Sequence, residues 1–206
     1  PQDQAYLAGM MESVEDIPSA VILNGLAWDW ESYGEYLDSL EKLEPAINLV
    51  GMVGHCAIRT YVMGERGVDD EPTSDEIAQM AALAGKSVAE GAIGFSSSRL
   101  VAHKMPDGRS IPGTFANTEE MVAIAKAVGE NNGLVQNVLE YSRLDTEMAL
   151  LREQALAAQT RVIFTAPHIP GAPGKANAYS DIIESMLAEG IDITGLALPR
   201  SFGFLS

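Results

Sequence analysis

Cysteine occurs once and histidine three times in this chain of 206 residues. A single cysteine excludes an internal disulfide and fits a reducing compartment, so the cytoplasm is the expected location. Basic side chains are also scarce, 13 against 29 acidic ones, for a net charge of −16. That balance repels phosphate backbones and anionic lipid, which argues against nucleic acid or a membrane surface as partner. No apolar run approaches the roughly 20 residues of a membrane span. The opening Pro1-Gln2-Asp3-Gln4 has neither the basic region nor the apolar core of a signal peptide. An initiating methionine is missing, and Gly203-Phe204-Leu205-Ser206 lacks a tail-like composition, so both ends read as cut.

What is present begins with residues 47–53, an apolar run of strand length that suits a strand buried on both faces. Gly54, His55, Cys56 and Arg59 follow at once. An apolar strand running into glycine and functional side chains is how the C-terminal end of a parallel strand reads in an α/β enzyme.

The rest of the chain repeats that grammar. Upstream, residues 1–30 show no clear period, and Asp29 is a cap for a helix over 30–43 with Tyr33, Tyr36, Leu37, Leu40 and Leu43 on its buried stripe. Trp28 and Trp30, just before it, suit packing or a platform over substrate. Downstream, Thr73 and Glu76 form a capping box for a helix carrying Ile77, Met80, Ala81, Ala84 and Val88 on one face and stopping at Gly91. A strand over 92–96 ends in serines and Arg99, and a long loop, 100–116, follows it. Asn117 and Glu120 cap the next helix, with Met121, Ile124, Ala125 and Val128 as its apolar face. Further strands are expected over 134–139, 162–165 and 191–198, and helices over 145–159 and 178–189.

Five strands alternating with four helices predict α/β parallel βα repeats. An open doubly wound sheet or part of a (β/α)8 TIM-type barrel would fit. No phosphate-cradling glycine motif follows the first strand, which weakens the nucleotide-binding version of the former. Five strands do not close an eight-stranded barrel, so a barrel would be incomplete here. The chain reads as one domain over 1–206. Most of the cations, including Arg59, Arg99, Arg109 and Arg200, follow strands, which suggests an anionic substrate unless the acids of the same loops cancel the field.

Several stretches resemble the N-acyl-D-amino-acid deacylases (D-aminoacylases) of the amidohydrolase superfamily. Residues 11–18 look like their Met-Glu-x-Val-Glu-Asp-Ile-Pro segment, and 25–33 like their Trp-Asp-Trp-Glu-Ser segment. Val53-Gly54-His55, Arg59 and residues 61–64 are similar to their third barrel strand and its exit. Residues 94–99 and 112–116 are similar to the fourth strand and the loop after it. The matches run in order over nearly the whole chain.

The resemblance implies a metal-dependent hydrolase on a (β/α)8 barrel with a small β domain, acting on an N-acylated D-amino acid or a similar small amide through a metal-held water. It implies zinc or another divalent metal held by a His-x-His pair on the first strand, a cysteine on the second, histidines of the fifth and sixth strands, and an aspartate on the eighth. On that reading the small β domain, the first and last strands and most of the ligands, with the main acid/base, lie outside this sequence. Gln136 stands where the fifth-strand histidine would align, and an amide oxygen is a poor zinc ligand. His168 is the nearest candidate for the sixth-strand ligand, a residue or two out of register.

Other candidates keep two readings. His55 polarises a carbonyl or orients a ligand, or else is a histidine held behind the site. Arg59 clamps a substrate carboxylate, or forms an ion pair with the acids of 65–71. Residues 96–98 read as small groups making room at a strand end, since no histidine stands at adjacent spacing as a base for a serine nucleophile. Cys56 reads as a small core residue and His103 as solvated. His55, Ser97, Gln136, His168 and Arg200 are expected to meet on the face at the strands' C-terminal ends.

The function expected is the central portion of a metal-dependent amidohydrolase cleaving a non-peptide C–N amide bond. The alternative is a non-catalytic α/β small-molecule-binding module or a relative that has lost its metal. With one matching ligand at most, this chain alone is expected to bind no metal and to be inactive. Its exposed barrel edges are expected to drive self-association.

Overall fold

The computed structural model describes residues 4–15, 17–167 and 174–197. Two helices come first, α1 (Gln4–Glu15) and α2 (Ser19–Gly25), where the sequence shows no clear period. Next is α3 (Tyr33–Glu41), which opens on Ser32 rather than Asp29. The Ser32 hydroxyl accepts the Glu35 N–H, and the Glu35 carboxylate accepts the Ser32 N–H. Asp29 is instead ion-paired with Lys42 at 2.8 Å. The stripe expected on this helix is only half buried, and Leu43 lies beyond it at 71% exposure. Trp28 and Trp30 stack on each other at 5.9 Å, and Trp30 leans on Tyr36, so both serve as packing.

The strand expected over 47–53 shrinks to β1 (Val53–Gly54). Val50 is 75% exposed and Ile47 70%. The physical reason is pairing: among the described residues β1 has a neighbour on one side only, and that neighbour's preceding Ile93 N–H reaches back no further than the Gly51 carbonyl. Without a second ladder, an apolar run gains neither hydrogen bonds nor cover. The chain turns at Gly54 straight into α4 (His55–Met63), so the stretch read as a strand exit is a helix.

A short helix, α5 (Arg66–Asp69), leads to α6 (Ser74–Ala89), which carries the expected Thr73–Glu76 capping box and buries Ile77, Met80, Ala84 and Val88. Then come β2 (Gly94–Ser98), α7 (Thr118–Glu130) and β3 (Leu134–Val138). They are followed by α8 (Leu144–Ala158), β4 (Val162–Thr165), α9 (Gly174–Ala188) and β5 (Ile193–Leu196). β2 starts two residues later than expected, so the serines lie in the strand and not after it. The last helix starts earlier.

All neighbouring strands pair in parallel and the sheet order is β1-β2-β3-β4-β5, with no reversal. A doubly wound sheet reverses its strand order and carries helices on both faces. Here Phe95, Val135, Val162, Phe164 and Ile193 all point one way, into a core shared with Met80, Met121, Ile124, Val128 and Leu151 of the helices. One sheet face is therefore covered and the order is sequential, which is the arrangement of part of a (β/α)8 barrel. Gly129 shows how close the helices lie: a Cβ there would stand 1.9 Å from the Ala158 carbonyl oxygen at the end of α8. A smaller cluster of Met10, Met105 and Ile111 ties α1 to the loop after β2, with Cys56 packed against it. Among the described residues no helix is long and apolar enough to cross a membrane.

Candidate functional site

Strand pleating sorts the candidates between two faces. Ser97 and Asn137, in register with each other, point toward the helices with Phe95 and Val135. Ser96 and Gln136 are likewise in register, and Gln136 is opposite Ile163 of β4. These half-buried residues, with Ser98, Val138 and Thr165, point away from the helices, toward what would be the inside of a barrel. Thr194 and Leu196 of β5 extend that face and are exposed.

The helix-side face holds the charged network. Gly54 places His55 at the first turn of α4, where the ring lies edge-on to Phe95 at 5.3 Å. His55 Nδ1 is 3.0 Å from Ser97 Oγ, and its Nε2 is 2.7 Å from Glu120 Oε1. Arg59, one turn later, gives Nη1 to the other Glu120 oxygen, Nε to the Gly67 carbonyl and Nη2 to the Asp70 carbonyl. His55 is 1% exposed and Glu120 0%. Burial pushes the Glu120 carboxyl up, but the hydrogen bonds and charges of His55 and Arg59 outweigh it and hold the group below the ordinary 4.5. Gly113 presses on the same imidazole with φ of +92°, and a Cβ there would stand 2.5 Å from Nδ1. The helix side also holds a second buried ion pair: Arg99 Nε donates to Glu147 at 2.6 Å and its Nη1 to the Ala116 carbonyl at 2.8 Å.

The expected meeting of His55, Ser97 and Gln136 on one surface is therefore divided. His55 and Ser97 touch, but behind the sheet, and the pleat turns Gln136 to the other side. Arg59 pairs with Glu120, not with the side chains of 65–71, although it bonds two carbonyls of that segment. His168 and Arg200 lie outside the described residues. The cation-rich end of the sheet is largely neutralised: Arg66 pairs with Asp70 and Glu76, Arg109 with Asp69 and Asp107, and Arg143 with Glu147. An anionic substrate gains little there.

Three residues escaped the pattern read in the sequence. Glu120 carries a cap signature, yet only Asn117 caps α7, accepting the Glu120 N–H at 3.0 Å, while the carboxylate turns inward. Glu147 gives no local signal. His103, expected in solvent, is half buried with Nδ1 2.7 Å from Ser98 Oγ. A turn over 100–103, closed by the His103 N–H on the Leu100 carbonyl, brings back a histidine five positions after a strand-end serine. Glu140, at the exit of β3, accepts from the Val101 N–H and from the Ser142 N–H and hydroxyl, and the Ser142 hydroxyl foremost keeps it below the ordinary carboxyl range. Cys56 is partly buried, and burial pushes its thiol up, which makes it inert.

Among the described residues no group of three or more His, Cys, Asp or Glu side chains could hold a metal ion. Gln136 brings a neutral amide to the inner face, where a metal would need an anionic or imidazole donor. The described residues do not fit a catalytic metal.

No family model matches the chain. It is 29% identical over 128 residues to the D-aminoacylase of Alcaligenes xylosoxydans xylosoxydans, covering 62% of this chain and 24% of that protein. It is also 29% identical over 140 residues to an uncharacterised protein of Mycobacterium tuberculosis H37Rv, covering 63% of this chain and 23% of that one. Two solved structures share its fold: a D-aminoacylase mutant in complex with 100 mM copper chloride, and a D-aminoacylase that defines a novel subset of amidohydrolases. Their TM-scores are 0.68 and 0.67 at 25% identity, over 82% of this chain and 34% of theirs. The chain thus resembles the D-aminoacylases in both sequence and fold, and spans about a quarter of the curated relatives it matches and a third of the solved chains.

Proposed function

We propose that these residues are the central portion of a hydrolase acting on a C–N bond other than a peptide bond, with an N-acylated D-amino acid or a similar small amide as substrate. What supports this is the in-order parallel arc, which follows the D-aminoacylase structures over 82% of the chain. The 206 residues form a single incomplete domain, and the remaining barrel strands and a small β domain belong to the whole protein, in the cytoplasm. Within that protein, Gln136, flanked by Ser96 and Ile163, offers an amide donor and acceptor to a substrate lying across the inner face. His55 and Arg59 set the position of α4 and the loop after β2 and do not meet the substrate.

A divalent metal, zinc foremost, is proposed for the whole protein. Its ligands and the main acid/base would lie outside the described residues, so no step is assigned to it here. This chain alone binds no stoichiometric metal and releases no D-amino acid from N-acetyl-D-amino acids, even with zinc supplied. Metal analysis after dialysis and ninhydrin detection of product test this, with the full-length protein as positive arm. Tight zinc with turnover by the 206 residues alone would overturn the placement of the ligands.

A second reading, a relative that keeps the fold as a small-molecule-binding module without catalysis, is favoured by the neutral amide of Gln136. A full-length protein that folds, carries no metal and turns over no N-acyl-D-amino acid would select it. In either case the exposed Ile47, Leu49, Val50 and Leu196 favour self-association or cover by further chain. A monodisperse monomer in light scattering at high concentration would refute that.

A further inference from the structure

We infer that Ser98 and His103 form a nucleophile–base pair on the open face of the sheet, competent for acyl transfer from small, uncharged esters without a metal. Ser98 is the last residue of β2, at the strand end that carries chemistry in parallel α/β folds. Its parity is that of Ser96, so the hydroxyl points away from the helices and is half exposed. Ser97 beside it is 4% exposed and faces His55, out of reach of any substrate.

The Leu100 N–H donates to Ser98 Oγ at 3.4 Å and takes one of its two lone pairs, and the hydroxyl lies 2.7 Å from His103 Nδ1. The reactive tautomer carries the imidazole proton on Nε2, and in it the Ser98 hydroxyl donates and Nδ1 accepts. The ring is held by its own backbone: the His103 N–H bonds the Leu100 carbonyl at 3.0 Å, and its carbonyl accepts the Ile111 N–H at 3.4 Å. Burial draws the imidazole below its ordinary 6.5, against the opposing field of Glu15, so it is an unprotonated acceptor near neutrality. The loop that carries it is latched to the exit of β3 by Glu140, which accepts the Val101 N–H at 3.1 Å.

Ser98 Oγ attacks the ester carbonyl as its proton passes to His103 Nδ1. The carbonyl–oxygen bond of the leaving group then breaks, and the departing alkoxide takes that proton. Water attacks the acyl-Ser98, His103 accepts the water proton, and Ser98 Oγ recovers it as the carboxylic acid leaves. A base with no carboxylate partner among its described contacts suits esters with good leaving groups better than amides. A chain of net charge −16 favours uncharged acyl groups over anionic ones.

The test uses the 206-residue chain in EDTA, so that its outcome is independent of the amide hydrolysis proposed above. A fluorophosphonate probe should label Ser98, located by peptide mass spectrometry, and the chain should release p-nitrophenol from p-nitrophenyl acetate faster than the Ser98→Ala variant. His103→Gln should lower both labelling and release at least tenfold, Ser98→Ala should abolish labelling, and Ser13→Ala on α1 should change neither. Labelling elsewhere or not at all, or an unchanged rate in His103→Gln, overturns the pair. The mapping on the unsubstituted chain decides the matter even if a variant misfolds.

Discussion

Ser97 and Ser98 are consecutive residues of one strand, in register with Asn137 and Val138 of the next, and they live in different media. Ser97 faces a sealed layer in which a histidine, an arginine and a glutamate share hydrogen bonds out of reach of water. Ser98 faces an open surface of neutral hydroxyls and an amide. Behind the sheet, charge is fixed and serves to hold α4, α7 and the loop after β2 together. In front, Ser96, Ser98 and Gln136 are uncharged and only half buried. A side chain's role here follows from the parity of its position more than from its chemical type.

The sharpest way to break the comparison is Glu120→Ala. Removing one partner leaves a buried guanidinium and imidazole without their carboxylate, a loss of about 4 kcal/mol. Urea unfolding should show the midpoint collapse or the chain become insoluble, and an unchanged midpoint would mean that this network is not sealed. Gly113→Ala is next. It strains a left-handed backbone position against the His55 ring, and about 2 kcal/mol should be lost in the same assay. Thr73→Ala, which removes the α6 cap, should cost about 1 kcal/mol. Gln136→Ala, on the open face, should move stability by no more than about 0.5 kcal/mol. A larger loss would place Gln136 in the sealed layer after all.

Acid sharpens the same contrast. The folded carboxyls of Glu120 and Glu140 titrate below their ordinary 4.5, so the stability they contribute is present above that value. It is lost as the pH falls through their lower folded values. The melting temperature should therefore hold near neutrality and decline below about pH 4.5. The gap between the unsubstituted chain and Glu120→Gln should close over that interval, and a gap that persists in acid would contradict the assignment.

Much of this was readable from periodicity. The capping box at Thr73, the apolar face of α7 and the strand over 162–165 are local patterns, and they formed where the pattern lay. The first strand was not readable, because residues 47–53 have the composition of a central strand and the pairing of an edge. The site was misread for a related reason. His55 and Glu120 are 65 positions apart, so only the fold brings them together. A cluster of serines at a strand end does not reveal which of them faces inward until the strand is known to run through it, and the alternation from buried Phe95 then puts Ser97 inside and Ser96 and Ser98 outside.

The sequential order of the sheet bears on how the chain assembles. Among the described residues each strand pairs only with the strand before and after it in the sequence, and α6 packs against α7 and α7 against α8. Among the described strands no pairing waits for a segment beyond the next βα unit, so the entropy of closing each loop stays small. Growth from the ribosome can add one βα unit at a time to a surface already formed. The exposed ladder of the most recent strand is then the template for the next, and an arc of this kind has a growing end as well as an edge.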